Sequence, residues 1–293
     1  MDSRLLRRFG LPFVAGLALA ATAPGTAAAS FGTLSYQVHG PVNAAVNFER
    51  AVTASCPAGS HVLGGGQYIL AADKDAIVHA SAPFDGGDAD KIPDDGWRSR
   101  VDSFNGADNT VTEYAICSTK QPTYRSTAVT LHGPAAPHLR SSCPAGDSAV
   151  GGGVDISPKY SSAYITVSDP GPGASWDGHA VAGLASAVNQ KVTDWAICAP
   201  AAVTYRSTSG LIAPNSFGEA SARCPAATRV VGGGVRVPEF GPGDRDVDVR
   251  PTISSPFDGA DGDFVPDDGW QIEADDWGAG GDLMIQATAI CLS

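Results

Sequence analysis

The sequence predicts an all-β protein built from three pseudo-repeated antiparallel units, each closed by one disulfide. Three observations predict this class. The 293 residues include 35 glycines and 21 prolines, a composition typical of a turn-rich β protein. A set of short motifs recurs three times, which indicates a repeat architecture. All six cysteines fall on that repeat. With 43% hydrophobic and 17% charged residues, the chain has enough apolar side chains to pack a core.

The first 29 residues are predicted to be a signal peptide. Arg4, Arg7 and Arg8 precede an apolar run over 11–23, and small residues follow at 26–29. The run is shorter than the roughly 20 apolar residues that a transmembrane helix needs. We expect cleavage after Ala29 and a secreted mature chain without a membrane span, with a membrane anchor as the alternative. Whether the Sec or the Tat route exports it is left open.

The charge balance argues against nucleic acid as a partner. The formal net charge is −12, and it becomes −14 without residues 1–29, which carry three arginines and Asp2. A negative protein is repelled by phosphate backbones. The expected partner is therefore an unknown extracellular ligand or a component of the cell envelope.

Three copies of one unit follow the leader, over 30–118, 119–199 and 200–293. Each unit contains a tyrosine, a Cys-Pro-Ala motif 19 or 20 residues later, a triple glycine that begins eight residues after that cysteine, a tryptophan, and a closing Ala-Ile-Cys. The tyrosines are Tyr36, Tyr124 and Tyr205; the triple glycines are 64–66, 151–153 and 232–234; the tryptophans are Trp97, Trp176 and Trp270. The repetition predicts three structurally equivalent units.

The cysteines are predicted to form one disulfide within each unit. An even set of cysteines in an exported chain indicates disulfides, and the repeat makes intra-unit pairing the most economical of the possibilities. The predicted bridges are Cys56–Cys117, Cys143–Cys198 and Cys224–Cys291, each expected to join the first and last core strands of its unit. Closing such a loop contributes about 4 kcal/mol in the chain-entropy model. The alternative is a ring of bridges between neighbouring units, for example Cys117 to Cys143.

Each unit is expected to contain four to six antiparallel strands. Apolar or alternating runs predict strands at 61–70, 109–117, 124–131, 148–156, 191–198 and 205–212. The triple glycines do not suit a phosphate loop, because no lysine and no helix start follow them. Glycine in a strand instead marks a bulge or a close approach. We expect the tryptophan of each unit to pack on its glycines or its disulfide, with a ligand-stacking role at the surface as the alternative.

The candidate metal ligands lie in two acidic segments. Residues 84–97 and 257–270 agree at ten of fourteen positions, and the second unit lacks this cluster. Carboxylates with Asp-x-Asp spacing can ligate Ca²⁺, which takes six to eight oxygens; no other cofactor is expected. The candidate calcium ligands are Asp85, Asp88, Asp90, Asp94, Asp95, Asp258, Asp261, Asp263, Asp267 and Asp268. A solvated acidic hairpin tip is the alternative interpretation.

The motif series resembles two known groups. The Cys-Pro-Ala-Gly, triple-glycine, Gly-Trp and Ala-Ile-Cys elements resemble a functionally unassigned repeat module of secreted actinobacterial proteins, over nearly the whole mature chain. The Cys-Pro-x-Gly opening and the threefold repetition also resemble the β-prism of vitelline membrane outer layer proteins, a carbohydrate-associated fold. That resemblance implies units packed about a pseudo-threefold axis. The acidic segments resemble calcium-binding thrombospondin-like repeats, but Lys91-Ile92 and Phe264-Val265 interrupt the pattern.

The function expected from the sequence is that of a secreted, non-catalytic binding or envelope-associated protein of unassigned role. Lectin-like binding of carbohydrate is one form of this expectation. Short linkers such as 120–122 and 200–202 favour compact packing of the units over separate beads. The alternative is a secreted hydrolase or hydrolase inhibitor that uses the acidic loops 85–95 and 258–268. No catalytic residue is assigned, because neither serines nor histidines recur in a catalytic pattern.

Overall fold

A computed structural model describes residues 31–46, 48–70, 76–103, 108–131, 136–157, 163–182, 189–237, 249–259, 263–277 and 281–293. The predicted signal peptide lies outside these residues. The described chain is all β, with eighteen strands and no helix that could cross a bilayer. The predicted fold class is confirmed.

Each repeat contributes six strands. The first has β1 (Leu34–Ala44), β2 (Arg50–Ser55), β3 (His61–Leu70), β4 (Ala76–Phe84), β5 (Gly96–Ser103) and β6 (Asn109–Ser118). The second has β7 (Thr123–Leu131), β8 (His138–Ser142), β9 (Ser148–Ser157), β10 (Ala163–Gly171), β11 (Ser175–Ala182) and β12 (Gln190–Ala199). The third has β13 (Val203–Ile212), β14 (Phe217–Arg223), β15 (Arg229–Arg236), β16 (Val249–Phe257), β17 (Gly269–Asp276) and β18 (Leu283–Leu292). All six strands predicted from the sequence are present.

The strands form three six-stranded antiparallel sheets, and each sheet is shared by two repeats. Sheet I has the order β1-β6-β3-β16-β17-β14, sheet II β2-β5-β4-β9-β12-β7, and sheet III β13-β18-β15-β10-β11-β8. The first, sixth and third strands of one repeat therefore continue into the fourth, fifth and second strands of another. This sharing closes cyclically around a pseudo-threefold axis, which a chain of separate beads could not do.

The triple glycines allow the repeats to approach at this axis. The first glycine of each set packs against the backbone of another repeat: Gly64 against Gly232, Gly232 against Gly151, and Gly151 against Gly64. A methyl group on any of them would overlap a carbonyl oxygen of the neighbour. The three central strands can meet only because these positions lack a side chain.

The second and third glycines have different contacts. The second glycine of each set lies against the indole of its own repeat, as Gly65 does with Trp97. The third lies against a strand of another repeat, as Gly153 does with the Ser81 carbonyl of β4. Trp97 belongs to the same repeat as Ser81 and donates a hydrogen bond to its hydroxyl group, with 3.0 Å between Trp97 Nε1 and Ser81 Oγ. The same arrangement occurs at Gly152, Trp176 and Ser168 and at Gly233, Trp270 and Ser254.

The tyrosine of each repeat forms a bond to another repeat. Each phenol donates to a backbone carbonyl beside the bulge that precedes a triple glycine. The three bonds are Tyr36 Oη to Val230 O at 2.8 Å, Tyr124 Oη to Val62 O at 2.7 Å, and Tyr205 Oη to Ala149 O at 2.8 Å. They follow the same cyclic order as the shared sheets.

The three disulfides have the predicted intra-unit pairing. They differ from the expectation in the strands that they join. Cys56 follows β2 of sheet II, whereas Cys117 lies in β6 of sheet I. Each bridge thus connects the second and last strands of a repeat and links two sheets, since the two halves of a repeat belong to different sheets.

The three repeat tryptophans are core residues. Trp97, Trp176 and Trp270 are at most 1% exposed, and each lies against a glycine of its own repeat. Their predicted core role is confirmed, and the ligand-stacking alternative for these three residues is wrong.

Replacing Trp97 with alanine should lower the free energy of unfolding by about 3–5 kcal/mol, because a large buried side chain and its hydrogen bond to Ser81 are lost. Urea denaturation of the purified protein measures this difference. The matched control is Trp195→Ala, since Trp195 is only half-buried. Equal effects of the two substitutions would contradict the core role of Trp97.

Candidate functional site

The acidic loop 85–95 connects β4 to β5 in the first repeat. Several of its carboxylates accept hydrogen bonds from the loop's own backbone. Asp88 Oδ1 accepts from the Asp90 amide at 3.0 Å, and Asp90 Oδ1 accepts from the Ile92 amide at 2.7 Å. Asp95 Oδ2 accepts from the Gly86 amide at 2.6 Å. These local bonds stabilise the turns of the loop.

The inner end of this loop is attached to the body of the protein. Asp94 is 4% exposed, and its Oδ2 lies 2.5 Å from Nδ1 of His61. Its carbonyl accepts from the Val62 amide at 2.9 Å. Asp94 therefore holds the loop against β3 and is less available to a ligand than the exposed aspartates at the tip.

The corresponding loop of the third repeat is attached in the same way. Asp267 is 6% exposed, lies 3.1 Å from Nε of Arg229, and accepts from the Val230 amide at 2.9 Å. Asp268 Oδ2 accepts from the Gly259 amide at 2.5 Å, and Asp263 Oδ1 from the Val265 amide at 2.8 Å. Asp258 is exposed, and Asp261 lies outside the described residues.

Two groups of carboxylates in loop 85–95 have the spacing that a cation needs. Ligand oxygens of Asp85, Asp88 and Asp95 lie within 4.8 Å of one another, as do those of Asp88, Asp90 and Asp94. Hard oxygen ligands of this kind suit Ca²⁺. Calcium binding by this loop stays a prediction, because the same carboxylates also serve the turns described above.

Two aromatic side chains that the sequence reasoning did not single out lie on the outer side of the sheets. Tyr114 on β6 and Trp195 on β12 occupy the same repeat position, and both are half-buried. Trp195 has Ser126 of β7 on one side and Gly153 of β9 on the other. Both residues stand on the polar side of an alternating strand, as in Lys191-Thr193-Trp195, and that alternation could have identified them.

Trp277 forms a second partly exposed aromatic group. It is 37% exposed, and the guanidinium of Arg250 lies 4.7 Å from the centre of its ring. The same guanidinium lies 5.5 Å from the ring of Tyr164 on a different sheet. This contact joins the fourth strands of the second and third repeats.

A cavity of about 20 Å³ lies where the repeats meet, and this volume suits about one water molecule. Its lining includes the second glycines and the tryptophan-bonded serines: Gly65, Gly152, Gly233, Ser81, Ser168 and Ser254.

Two carboxyl groups are buried at equivalent positions of the first two repeats. Glu113 and Asp194 are each 0% exposed, and the third repeat has Ala287 there. Burial raises the pKa of Glu113 well above its usual range, although Ser99 donates a hydrogen bond to it at 2.9 Å. Burial raises the pKa of Asp194 to about 8. For both groups burial favours the protonated form of the carboxyl over the charged form.

Comparison with known proteins yields no matching family model and no matching curated protein. The resemblances to a secreted actinobacterial repeat module and to the vitelline membrane β-prism consequently stay predictions.

Calcium added to the protein should release heat and raise the melting temperature if loop 85–95 binds it. Asp88→Asn should reduce both effects, because Asp88 belongs to both carboxylate groups. Isothermal titration calorimetry and thermal melting measure them, and Asp282→Asn is a control at an exposed acid outside the loop. No heat and no change in melting temperature in the wild type would end the calcium hypothesis.

Asp194 should make the stability depend on pH. Its pKa is 3.8 in an ordinary environment and about 8 in the fold. Its contribution to the free energy of unfolding is complete below pH 4. As the pH rises it falls by at most about 1.4 kcal/mol per pH unit, until it is lost above about pH 8. Asp194→Ala, which introduces the residue of the third repeat, should flatten this slope in denaturation between pH 5 and 9. An unchanged slope would contradict the assignment.

Proposed function

We propose that this is a secreted, non-catalytic binding protein of the extracellular space or the cell envelope. One observation carries the proposal: the three repeats share their interior contacts and differ in their outward side chains at equivalent positions. The tryptophan, serine and glycine contacts recur in every repeat, whereas the partly exposed position four residues after each first glycine holds Tyr68, Asp155 and Arg236. A constant frame with variable surface chemistry suits recognition.

Three disulfides and a predicted signal peptide support the extracellular location, because disulfides persist in oxidising compartments. A lectin-like role is the form of binding that we favour. Trp195 is a half-buried aromatic residue on the outer side of β12, and Ser126 lies across from it on β7. An indole at such a position combines an apolar face with a polar N–H group and suits contact with a sugar ring.

A glycan array combined with a pull-down from cell-wall material tests this proposal. We expect binding without turnover, and Trp195→Ala should weaken it at least tenfold, while Trp277→Ala, which changes an aromatic residue elsewhere, should not. Circular dichroism checks that both variants are folded. Loss of binding in both variants, or in neither, would contradict a platform at Trp195.

The alternative, a secreted hydrolase or hydrolase inhibitor that uses loops 85–95 and 258–268, gives a different outcome in the same assay. Turnover that is abolished by Asp94→Asn or Asp267→Asn would favour this alternative. Both aspartates are buried and paired, with His61 and Arg229 respectively, which fits a structural role better than contact with a substrate.

A further inference from the structure

The cavity on the pseudo-threefold axis is lined in part by one equivalent serine from each repeat. Ser81, Ser168 and Ser254 lie in the fourth strands β4, β10 and β16, and each is at most 9% exposed. Each of them pairs with a residue of another repeat at the centre of one of the three sheets. The pairs are Ser81–Val154, Ser168–Val235 and Ser254–Gln67. The three serine side chains therefore come from different repeats and border one small space.

Each of these serine hydroxyls already accepts a hydrogen bond. The donors are the indoles of Trp97, Trp176 and Trp270, with 3.0, 3.1 and 3.0 Å between Nε1 and the serine Oγ. An indole N–H can only donate, so each hydroxyl is the acceptor and keeps its own proton for a second hydrogen bond. In the part of the chain that the structure describes, no residue accepts that proton. Because buried polar groups are normally paired, the three hydroxyls need an acceptor in the cavity.

Gln67 adds an amide to the lining of the same cavity. It is 2% exposed and lies where the other two repeats have Val154 and Val235. Its Oε1 accepts a hydrogen bond from Ser99 Oγ at 3.2 Å, so its Nε2 lies on the side away from that hydroxyl. None of the described residues accepts a hydrogen bond from this nitrogen. The polar part of the lining thus has more donors than acceptors.

This excess of donors distinguishes an anion from a water molecule. The volume of about 20 Å³ admits one water molecule or one ion of similar size. A water molecule has two lone pairs, so it leaves at least one of the three hydroxyl protons without an acceptor. An anion can accept all three protons together with the amide, and hydrogen bonds to a charged acceptor are the stronger kind.

The remaining lining limits the charge of such an ion. Its apolar part includes Val78, Ile165, Val235 and Pro251. Among the described residues that line the cavity, none carries a charge. A buried charge is costly unless it is hydrogen-bonded, so neutral donors suit a single negative charge better than two. The neighbouring Glu113 adds little repulsion, because burial raises the pKa of its carboxyl well above the usual range and favours the neutral form.

We propose that the axial cavity binds one monatomic, singly charged anion, with chloride as its occupant in ordinary buffers. The hydroxyls of Ser81, Ser168 and Ser254 donate to this ion, and the amide of Gln67 donates from the first repeat. Each hydroxyl is itself held by an indole, so the ion connects the cores of all three repeats. The inference concerns the interior of the protein and does not rest on the binding function proposed above.

Long-wavelength X-ray diffraction from crystals grown in sodium chloride tests the proposal directly. We expect an anomalous peak between Ser81, Ser168 and Ser254. Its height should be similar to those of the cysteine sulfurs, which serve as an internal standard in the same map. Density at this place without an anomalous signal would identify a water molecule and overturn the proposal. A cavity without density would overturn it as well.

Thermal melting tests the same site in solution. Replacing chloride with gluconate, an anion too large for the cavity, at constant ionic strength should lower the melting temperature of the wild type. The reason is that a ligand of the folded state stabilises that state. Ser168→Ala removes one donor and should lose most of this difference between the two salts, although it also lowers the melting temperature in both by depriving the Trp176 indole of its acceptor. The control Ser207→Ala, at an exposed serine of β13, should keep the full difference.

Gln67→Val is a milder change at the same cavity. It introduces the residue of the other two repeats and leaves all three serines and their indole bonds intact. It should reduce the difference in melting temperature between chloride and gluconate, because one donor to the ion is lost. An equal difference in the wild type, Ser168→Ala and Gln67→Val would show that chloride acts elsewhere and contradict the site.

Discussion

The backbone contact of the three triple glycines is the constraint on which the rest of the structure depends. Each first glycine meets the backbone of another repeat near the pseudo-threefold axis, where a side chain would collide with a carbonyl. Three strands that approach so closely cannot belong to independent domains. The close packing at the axis therefore explains why each sheet is shared between two repeats. The second glycine of each set also lacks a side chain, and the indole of its own repeat packs against it.

Polar groups near the axis are satisfied by bonds that also hold the repeats together. Each buried indole N–H reaches a serine hydroxyl, and each repeat tyrosine reaches a carbonyl of another repeat. Since an unsatisfied buried polar group costs about 1–3 kcal/mol, these bonds favour one arrangement of the repeats over others. The disulfides hold different parts of the structure together: each one connects two sheets within a single repeat, whereas the tyrosine bonds connect different repeats.

The three sheets have the same arrangement of strands but different side chains where two repeats meet. Where the first and second repeats meet, Arg98 lies beside Asp155, and where the second and third repeats meet, the equivalent positions hold Asp177 and Arg236. These opposite polarities also oppose incorrect neighbours, since exchanging repeats would bring like charges together.

The sequence by itself determined the all-β class, the three repeats, the positions of most strands and the disulfide pairing, because these follow from local alternation and from motifs repeated at constant spacing. It also placed Trp97, Trp176 and Trp270 in the core. Only the tertiary structure decided that each repeat is divided between two sheets, since sequence periodicity does not say which strand pairs with which. For the same reason Glu219 and Glu273, 54 positions apart in the chain, become cross-strand neighbours through a register that no local pattern records. The acidic loops were recognisable from composition, but the attachment of Asp94 to His61 and of Asp267 to Arg229 depends on the folding of the loops against β3 and β15.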